Sequence, residues 1–403
     1  MYGIFLRGIR ESLYHEVALY VFYMYLFNAE PSMSPWKAAQ PGDRLEQLDT
    51  PALILDLDAF ERNMKRLQDA LAGTGVRLRP HAKSHKCPDI ALRQIQGGAV
   101  GICCQKVSEA AVFVDAGVKD ILITNQVLGE KKVMHTLDLC EHARIGVLVD
   151  HADQVSAFAK ASAERQVKID VYIEIDVGMG RCGTASLDQT LALARQIDAA
   201  PYLQFIGLQC YHGSAQHYRQ PEERKKAIAA VCSYATAAKA AIESLGIQVE
   251  RITGAGTGSV MLERDSNVFN EVQAGSYIFM DRDYATNQRA EHDLPFEHAL
   301  FVKTAILSHP TQGRAVVDAG LKASSVDSGM PVVWQRNDAT YLKASDEHGV
   351  LALTPESTLK LGDYVMLVPG HCDPTVNLYD EIICVRGNTV EAIWPIAARG
   401  ALL

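Results

Sequence analysis

A (β/α)8 barrel followed by an all-β domain is the fold that the sequence predicts, and three observations predict it. Between residues 76 and 280 short β-branched runs alternate with stretches of helical period, which is the pattern of repeated strand–helix units on a parallel sheet. The runs number eight, as a closed barrel of ordinary size requires. After about residue 291 the helical period stops, and strand-like runs separated by Gly, Pro, Asn and Asp turns take over. An open doubly wound sheet is the alternative for the first part, because a count of strands does not say whether the sheet closes.

In chain order, ALILDLDAF (52–60) reads as a strand that feeds a helix at 60–72, ahead of the eight. The eight are VRLRPHAK (76–83), AVGICCQ (99–105), DILITNQ (120–126), RIGVLVD (144–150), KIDVYIEIDV (168–177), QFIGLQCYH (204–212), VERITGAG (249–256) and NEVQAGSYI (270–278). Helices are expected at 107–116, 128–140, 152–164, 187–199 and 221–244. FVKTAIL, RAVVDAG, PVVWQ, GVLALT, DYVMLVPG, EIICVRG and TVEAIWPI then supply the β domain. The expected boundaries are 50–290 for the barrel and 291–403 for the β domain, with 33–56 joining them and 1–32 as an extension of doubtful status. The apolar run at 17–27, preceded by Arg7 and Arg10, has some character of a signal or anchor. It is too short to span about 30 Å of hydrocarbon. Met33 opens the stretch that reads as the natural start, which leaves 1–32 as an over-long start or a short amphipathic helix.

With 48% hydrophobic and 22% charged residues the 403-residue chain is an ordinary globular protein. A net charge of −9 without any Lys/Arg stripe excludes nucleic acid as a partner. Nine cysteines, an odd number with no CxxC, suit a reducing, cytoplasmic location.

In a barrel the working residues stand where strands end at their C-terminal side. The first strand ends in RPHAKSHK, where a period of two puts Arg79, His81, Lys83 and His85 on one face. Charges facing a barrel interior need partners or a task, although a solvated loop would explain the same lysines. A lysine in an enclosed polar mouth has a lowered pKa and forms a Schiff base, and the register favours Lys83 over Lys86. The seventh strand ends in TGAGTGS, where Gly254, Gly256 and Gly258 allow close backbone approach and Thr257 and Ser259 add hydroxyls, a phosphate cradle in the place where barrels carry one. A plain turn is the competing explanation. After the fifth strand DVGMGRCG ends in Arg181, either a surface ion-pair partner or a cation aimed at a cofactor ring. After the sixth, YHGSAQH brings Tyr211, His212 and His217, a setting for a general base. In PGHCDPTVN an extended backbone would put His371 and Asp373 on one side and Cys372 on the other, so that imidazole and carboxylate chelate one divalent ion.

Taken together, RPHAKSHK, GMGRCG, YHGSAQH, TGAGTGS, EVQAGSYIFMD and PGHCDPTVN resemble the D-threonine aldolase and D-serine dehydratase-like family of fold-type III pyridoxal-phosphate enzymes, over nearly everything from Thr50 onward. The resemblance implies an alanine-racemase-like barrel, with Lys83 as covalent anchor of pyridoxal 5'-phosphate and Arg181 near its pyridine nitrogen. It implies the 254–258 loop as the phosphate holder, and Tyr211, Thr253 and Tyr277 are counted with the cofactor-binding residues. It makes His371 and Asp373 metal ligands, for manganese first, with magnesium, cobalt or zinc as alternatives. In this family a His-x-Asp pair marks the aldolase branch and a His-x-Cys pair the dehydratase branch, so His371-Cys372-Asp373 resembles the former. The expected reaction is cleavage of a D-β-hydroxy-α-amino acid to glycine and an aldehyde, with Lys83 and His217 catalytic and a homodimer as the assembly. Elimination by a D-serine or 3-hydroxyaspartate dehydratase and a non-catalytic cofactor-binding protein are the alternatives.

Overall fold

The computed structural model describes residues 38–403, so the expectations for 1–32 lie outside the described residues. Nearly every run rich in Val and Ile forms a strand. β1 (Ala52–Asp56) comes first, and the eight parallel strands follow as β2 (Arg77–Leu78), β3 (Ile102–Cys104), β4 (Asp120–Gln126), β5 (Arg144–Val149), β6 (Ile169–Glu174), β7 (Leu203–Gln209), β8 (Arg251–Gly254) and β9 (Glu271–Val272). Their spatial order is β2-β9-β8-β7-β6-β5-β4-β3. The two ends of that path meet: the Val100 N–H donates to the Leu78 carbonyl and the Cys103 N–H to the Pro80 carbonyl, both at 2.9 Å, and His81 bridges to Cys103 in parallel. The sheet is therefore a barrel and not an open doubly wound sheet.

The helices are α1 (Leu57–Leu71), α2 (Pro88–Gln96), α3 (Val107–Asp115), α4 (Glu130–Leu139), α5 (Ala152–Arg165), α6 (Leu187–Asp198), α7 (Pro221–Glu243) and the short α8 (Val260–Arg264) and α9 (Arg282–Ala285). α1 begins three residues earlier than expected because the Asp56 carboxylate accepts the Ala59 N–H at 3.0 Å and caps the helix there. The expected strands at 76–83 and 270–278 shrink to two residues each, and both continue as single 3-10 turns, Ala82–Ser84 and Ser276–Ile278.

The second sheet holds β10 (Leu300–Thr311), β11 (Arg314–Val317), β12 (Val332–Val333), β13 (Ala339–Ala344), β14 (Gly349–Leu353), β15 (Tyr364–Val368), β16 (Glu381–Arg386) and β17 (Thr389–Pro395), with α10 (Cys372–Val376) between β15 and β16. β1 joins it, antiparallel to β10 and parallel to β16. The chain thus passes through the C-terminal sheet before it enters the barrel. β13 escapes the sequence reading because ATYLKA carries Ala and Lys in place of β-branched residues.

Inside the barrel, Cys103, Leu122, Leu148, Tyr172 and Ile206 from successive strands form one apolar layer. Below it lies an ionic floor, where the strands begin. Arg79 donates to Glu271 at 3.1 Å and to Asp120 at 2.6 Å, and Arg144 donates to Asp170 at 2.6 Å. Gly101 is obligatory here, since a Cβ would come within 2.7 Å of the Arg79 guanidinium and 2.3 Å of the Asp120 carbonyl. Toward the mouth, Gln209 and Gln273 exchange amide hydrogen bonds of 3.0 and 2.8 Å, and Gln273 also donates to Thr253 Oγ1 at 2.9 Å. This polar layer is the bed of the cavity above it.

Candidate active site

The strand ends surround a cavity of about 240 Å³, and Lys83, Arg181, Tyr211, His217, Gly256 and Thr257 all line it. Lys83 reaches it from the 3-10 turn that follows β2. His81 caps that turn, its Nδ1 accepting the Lys83 N–H at 3.3 Å, and burial keeps the ring neutral by lowering its pKa. Nε2 of His81 then carries the proton and donates to Thr124 Oγ1 at 2.8 Å, and the Thr124 hydroxyl donates in turn to the Cys104 carbonyl at 3.1 Å. The turn ends the period of two. Arg79 points down into the floor, while His85 packs its ring edge-on against Phe113 and accepts the Cys87 N–H at 3.0 Å. The expectation of four residues on one face therefore fails for Arg79 and His85. Lys86 turns away from the mouth to Glu109 at 3.2 Å.

The Lys83 ammonium donates to Asp373 Oδ2. Burial alone would depress the lysine, but Asp373 and then Tyr211 outweigh it, so its pKa is raised rather than lowered as expected from the enclosed mouth. Burial likewise works against ionised Asp373, and the Lys83 and His371 charges more than offset it, holding the carboxyl well below its ordinary range. The 371–377 segment is not extended. His371 caps α10, where the Cys372 N–H is accepted by Asp281 Oδ2 at 2.9 Å and Thr375 Oγ1 donates to the His371 carbonyl at 2.8 Å. The alternation argument for His371 and Asp373 is thus replaced by a helical turn. Their donor atoms nonetheless suit a divalent ion. Nδ1 of His371 is 2.8 Å from Asp327 Oδ2, which fixes the proton there and leaves the Nε2 lone pair as a ligand. Asp373 contributes a carboxylate, and Cys372 is fully buried with its thiol 3.3 Å from Asp373 Oδ1.

The β8 loop fits a phosphate. Thr257 Oγ1 is buried without a hydrogen-bond partner. A Cβ on Gly256 would lie 2.5 Å from Gln216 Oε1, so a side chain there would displace the Gln216 amide that holds Gly258 and Ser259. Ala255 precedes it at φ +70, a left-handed conformation that costs a non-glycine residue about 1–2 kcal/mol. The rest of the motif is committed elsewhere. The Gly258 N–H is donated to Gln216 Oε1 at 2.8 Å, Ser259 is taken by Gln216 and Glu263 at 2.8 Å each, and Gly254 lies within the strand β8. Thr253 is fully buried under Gln273, and Tyr277 is buried outside the cavity against Phe296, with its hydroxyl 3.1 Å from Gln94. Thr253, Gly254, Gly258 and Tyr277 are thus outside the cavity lining, because the strands turn one or two residues sooner than the motif reading assumes.

After β6, Asp176 Oδ1 accepts the N–H groups of Gly178 and Gly180 at 3.0 Å each and shapes the loop that carries Arg181. Its guanidinium sits 5.8 Å over the Tyr211 ring and 3.7 Å from Glu174, so it faces the cavity rather than pairing on the outer surface. Asp150, Glu174 and Cys182 bring three donor atoms within 4.8 Å of one another just behind it. Asp150 already accepts from Gly183 and Gln154, and Glu174 from Gln126.

The two histidines of the β7 loop separate clearly. His212 is buried, accepts the Ala215 N–H at 3.2 Å and caps the following turn. His217 is half-exposed at the cavity with Nδ1 2.6 Å from Asp283 Oδ2, and that hydrogen bond, working against burial, raises its pKa. Tyr284, Ser276, Gln105 and Thr124 also line the cavity and carry no motif that would single them out. Asp327 and Asp283 also go unread, since each touches its histidine across 44 and 66 residues of chain.

A racemase-like barrel that presents an amine, a phosphate loop and a guanidinium at one mouth, beside an imidazole–carboxylate pair from a β domain, defines a fold-type III pyridoxal-phosphate protein. Residues 55–283 match the family model for the alanine racemase N-terminal domain, and 299–385 match that for a putative serine dehydratase domain. D-threonine aldolase from Arthrobacter sp. is 46% identical over 90% of this chain and 96% of its own. The 3-hydroxy-D-aspartate aldolase of Paracoccus denitrificans (strain Pd 1222) is 43% identical over 90% and 95%. The crystal structure of D-threonine aldolase from Filomicrobium marinum superposes with a TM-score of 0.89 at 47% identity, covering 91% of this chain and all of that one. The D-threo-3-hydroxyaspartate and D-serine dehydratases among the relatives share 28% or less. The chain belongs to the D-threonine aldolase and D-serine dehydratase-like family of fold-type III pyridoxal-phosphate enzymes.

Proposed function

We propose that this protein is a metal-activated, pyridoxal-phosphate-dependent lyase that cleaves D-β-hydroxy-α-amino acids to glycine and an aldehyde. One observation carries the reading: the amine of Lys83, which lines the cavity, touches the Asp373 carboxylate, with His371 two residues away in the chain, and this supports an anchor and an ion site that share one small substrate. Lys83 would hold the cofactor covalently, Gly256 and Thr257 would receive its phosphate, and His371 and Asp373 would hold the ion. When bound, the cofactor supplies the electron sink and the ion lowers the pKa of the substrate's β-hydroxyl.

The chain's own residues do the rest. Arg181 would supply a fixed positive charge to the cofactor ring and disfavour protonation of its pyridine nitrogen, while the Tyr211 ring under the guanidinium limits where that charge can go. His217 takes the β-hydroxyl proton at Nε2, the ring nitrogen not engaged by Asp283. The Lys83 amine is placed to accept or return a proton at Nζ. The same reading includes manganese as the ion, a homodimer as the assembly and a cytoplasmic location, which the nine free thiols suit. Among the described residues no helix is long and apolar enough to cross a membrane.

The aldolase reading is preferred to a dehydratase because the residue two places after His371 is Asp373, and Cys372 is buried with its thiol held well above its ordinary pKa. The test is a product assay with D-threonine and D-3-hydroxyaspartate in the presence of Mn²⁺. Glycine plus aldehyde is the expected outcome. A 2-oxo acid plus ammonia would instead assign a dehydratase, and no turnover of any D-β-hydroxy amino acid would leave a cofactor-binding protein.

A further inference from the structure

Asp283 belongs to no motif read from the sequence, yet it touches three parts of the site at once. Its Oδ2 lies 2.6 Å from Nδ1 of His217. Its Oδ1 accepts from Nη2 of Arg219, and its backbone carbonyl accepts from Nη1 of the same guanidinium at 2.7 Å. Its own N–H donates to the Gly370 carbonyl at 3.2 Å, one residue before His371. The neighbours repeat the attachment, with the Arg282 N–H donating to the Pro369 carbonyl at 3.0 Å and Asp281 Oδ2 accepting the Cys372 N–H at 2.9 Å. One short helix, α9, therefore grips the imidazole on one side and the turn that carries His371 and Asp373 on the other.

We propose that Asp283 is a positioning residue that holds His217 in its Nδ1–H tautomer, with the Nε2 lone pair left for the cavity, and that α9 keeps this nitrogen in register with the His371–Asp373 turn. The inference rests on the reading in which His217 takes the β-hydroxyl proton. A neutral imidazole has one N–H and one acceptor nitrogen, and an ionised carboxylate can only accept, so the contact selects the proton at Nδ1. Arg219 fixes the carboxylate in turn, occupying the second oxygen and the backbone carbonyl, so Asp283 has no freedom to leave the ring. The restraint is needed because the His217 side chain is 54% exposed, and its hydrogen bond to Asp283 is what fixes the ring. The charged groups that act on His217 are Asp283 and Asp281, which favour its protonated form, and Arg219, which opposes it.

The experiment uses the holoenzyme with metal and compares Asp283→Asn, which keeps the shape but offers an N–H₂ to the ring, with Asp283→Glu. Asp283→Asn is expected to lower kcat by about 10- to 100-fold, a part of the roughly 100- to 10,000-fold that a positioned general base contributes, while KM changes by no more than about two-fold. Asp283→Glu should recover a large part of that loss. An independent readout is the tautomer of His217 in protein labelled with ¹⁵N-histidine, the signal being assigned by its disappearance in His217→Gln. The wild type should show the proton on Nδ1, and Asp283→Asn should shift the balance to Nε2. Wild-type kcat together with an unchanged tautomer in Asp283→Asn would overturn the proposal, as would an Asp283→Glu no better than Asp283→Asn. Full activity in His217→Gln would instead remove the base reading, and the tautomer of Asp283→Asn would still decide whether Asp283 positions the ring.

Discussion

The floor of the barrel and its mouth are both crowded with charge, but the charges are partnered in different ways. On the floor Arg79, Glu271, Asp120, Arg144 and Asp170 find each other across neighbouring strands, and Glu271 is fully buried between two arginines. At the mouth and beside it, Lys83 meets a carboxylate 290 residues further along the chain, His217 meets Asp283, and, on the turn that carries Asp373, His371 meets Asp327. Floor pairs close a network within one sheet. The mouth pairs join loops from separate elements around a cavity that has room for a ligand, so there a small molecule can take over a partner's place. The difference teaches that buried charge becomes functional where its pairing spans elements, not where it is merely dense.

The comparison can be broken at either end. Lys83→Ala should abolish turnover and with it the visible absorbance of the covalently held cofactor, and a surviving band would put the anchor elsewhere. On the floor, Arg79→Met should cost stability of about 3–5 kcal/mol by stranding Glu271 and Asp120, measured by denaturant unfolding, while the folded fraction keeps a normal KM. If Arg79→Met instead spoils KM and spares stability, the division between floor and mouth is wrong. Asp327→Ala should weaken metal affinity by about 10- to 100-fold, read by titrating Mn²⁺ into chelator-stripped protein, with cofactor absorbance unchanged. EDTA treatment that leaves the aldolase activity of the purified protein intact would count against the whole ion site.

The smallest effect concerns Glu263, which sits beside the phosphate loop with Oε2 unpartnered. Burial pushes its pKa up to about 8 from 4.5, against the Ser259 hydrogen bond. The protonated form is favoured in the folded state, so its contribution to stability is complete below pH 4.5 and is lost as pH rises through 8. Glu263→Gln should remove that loss, leaving the variant more stable than the parent at pH 9 and equal to it near pH 4. Melting curves at both pH values test the sign.

Much of this was legible in the chain. Val- and Ile-rich runs mark the barrel strands because a parallel strand is buried on both faces, and the change at about 291 marks the second sheet. Lys83, Arg181, Tyr211, His217, Gly256 and Thr257 follow from one rule, that loops after strands converge at the mouth. What failed were local conformations a residue or two past a strand end. Extended spacing placed His85 beside Lys83, and the family resemblance counted Thr253 and Tyr277 with the cofactor-binding residues, whereas 3-10 turns and the strand positions turn all three into the protein. The supporting carboxylates Asp283 and Asp327 were invisible for another reason: an aspartate in a polar loop has no pattern until the fold brings its histidine to it.

The place of β1 has a consequence for how the chain can be made. Ile54 pairs with Phe301 on one side and with Ile383 on the other, so an apolar strand emitted early in synthesis waits for partners made more than two hundred residues later. Until the ribosome has delivered β16, that strand is an open edge of the kind that recruits foreign strands. Cutting the gene near codon 290 would therefore not yield two independent bodies, but a barrel with a sticky leader and a sheet lacking its central strand.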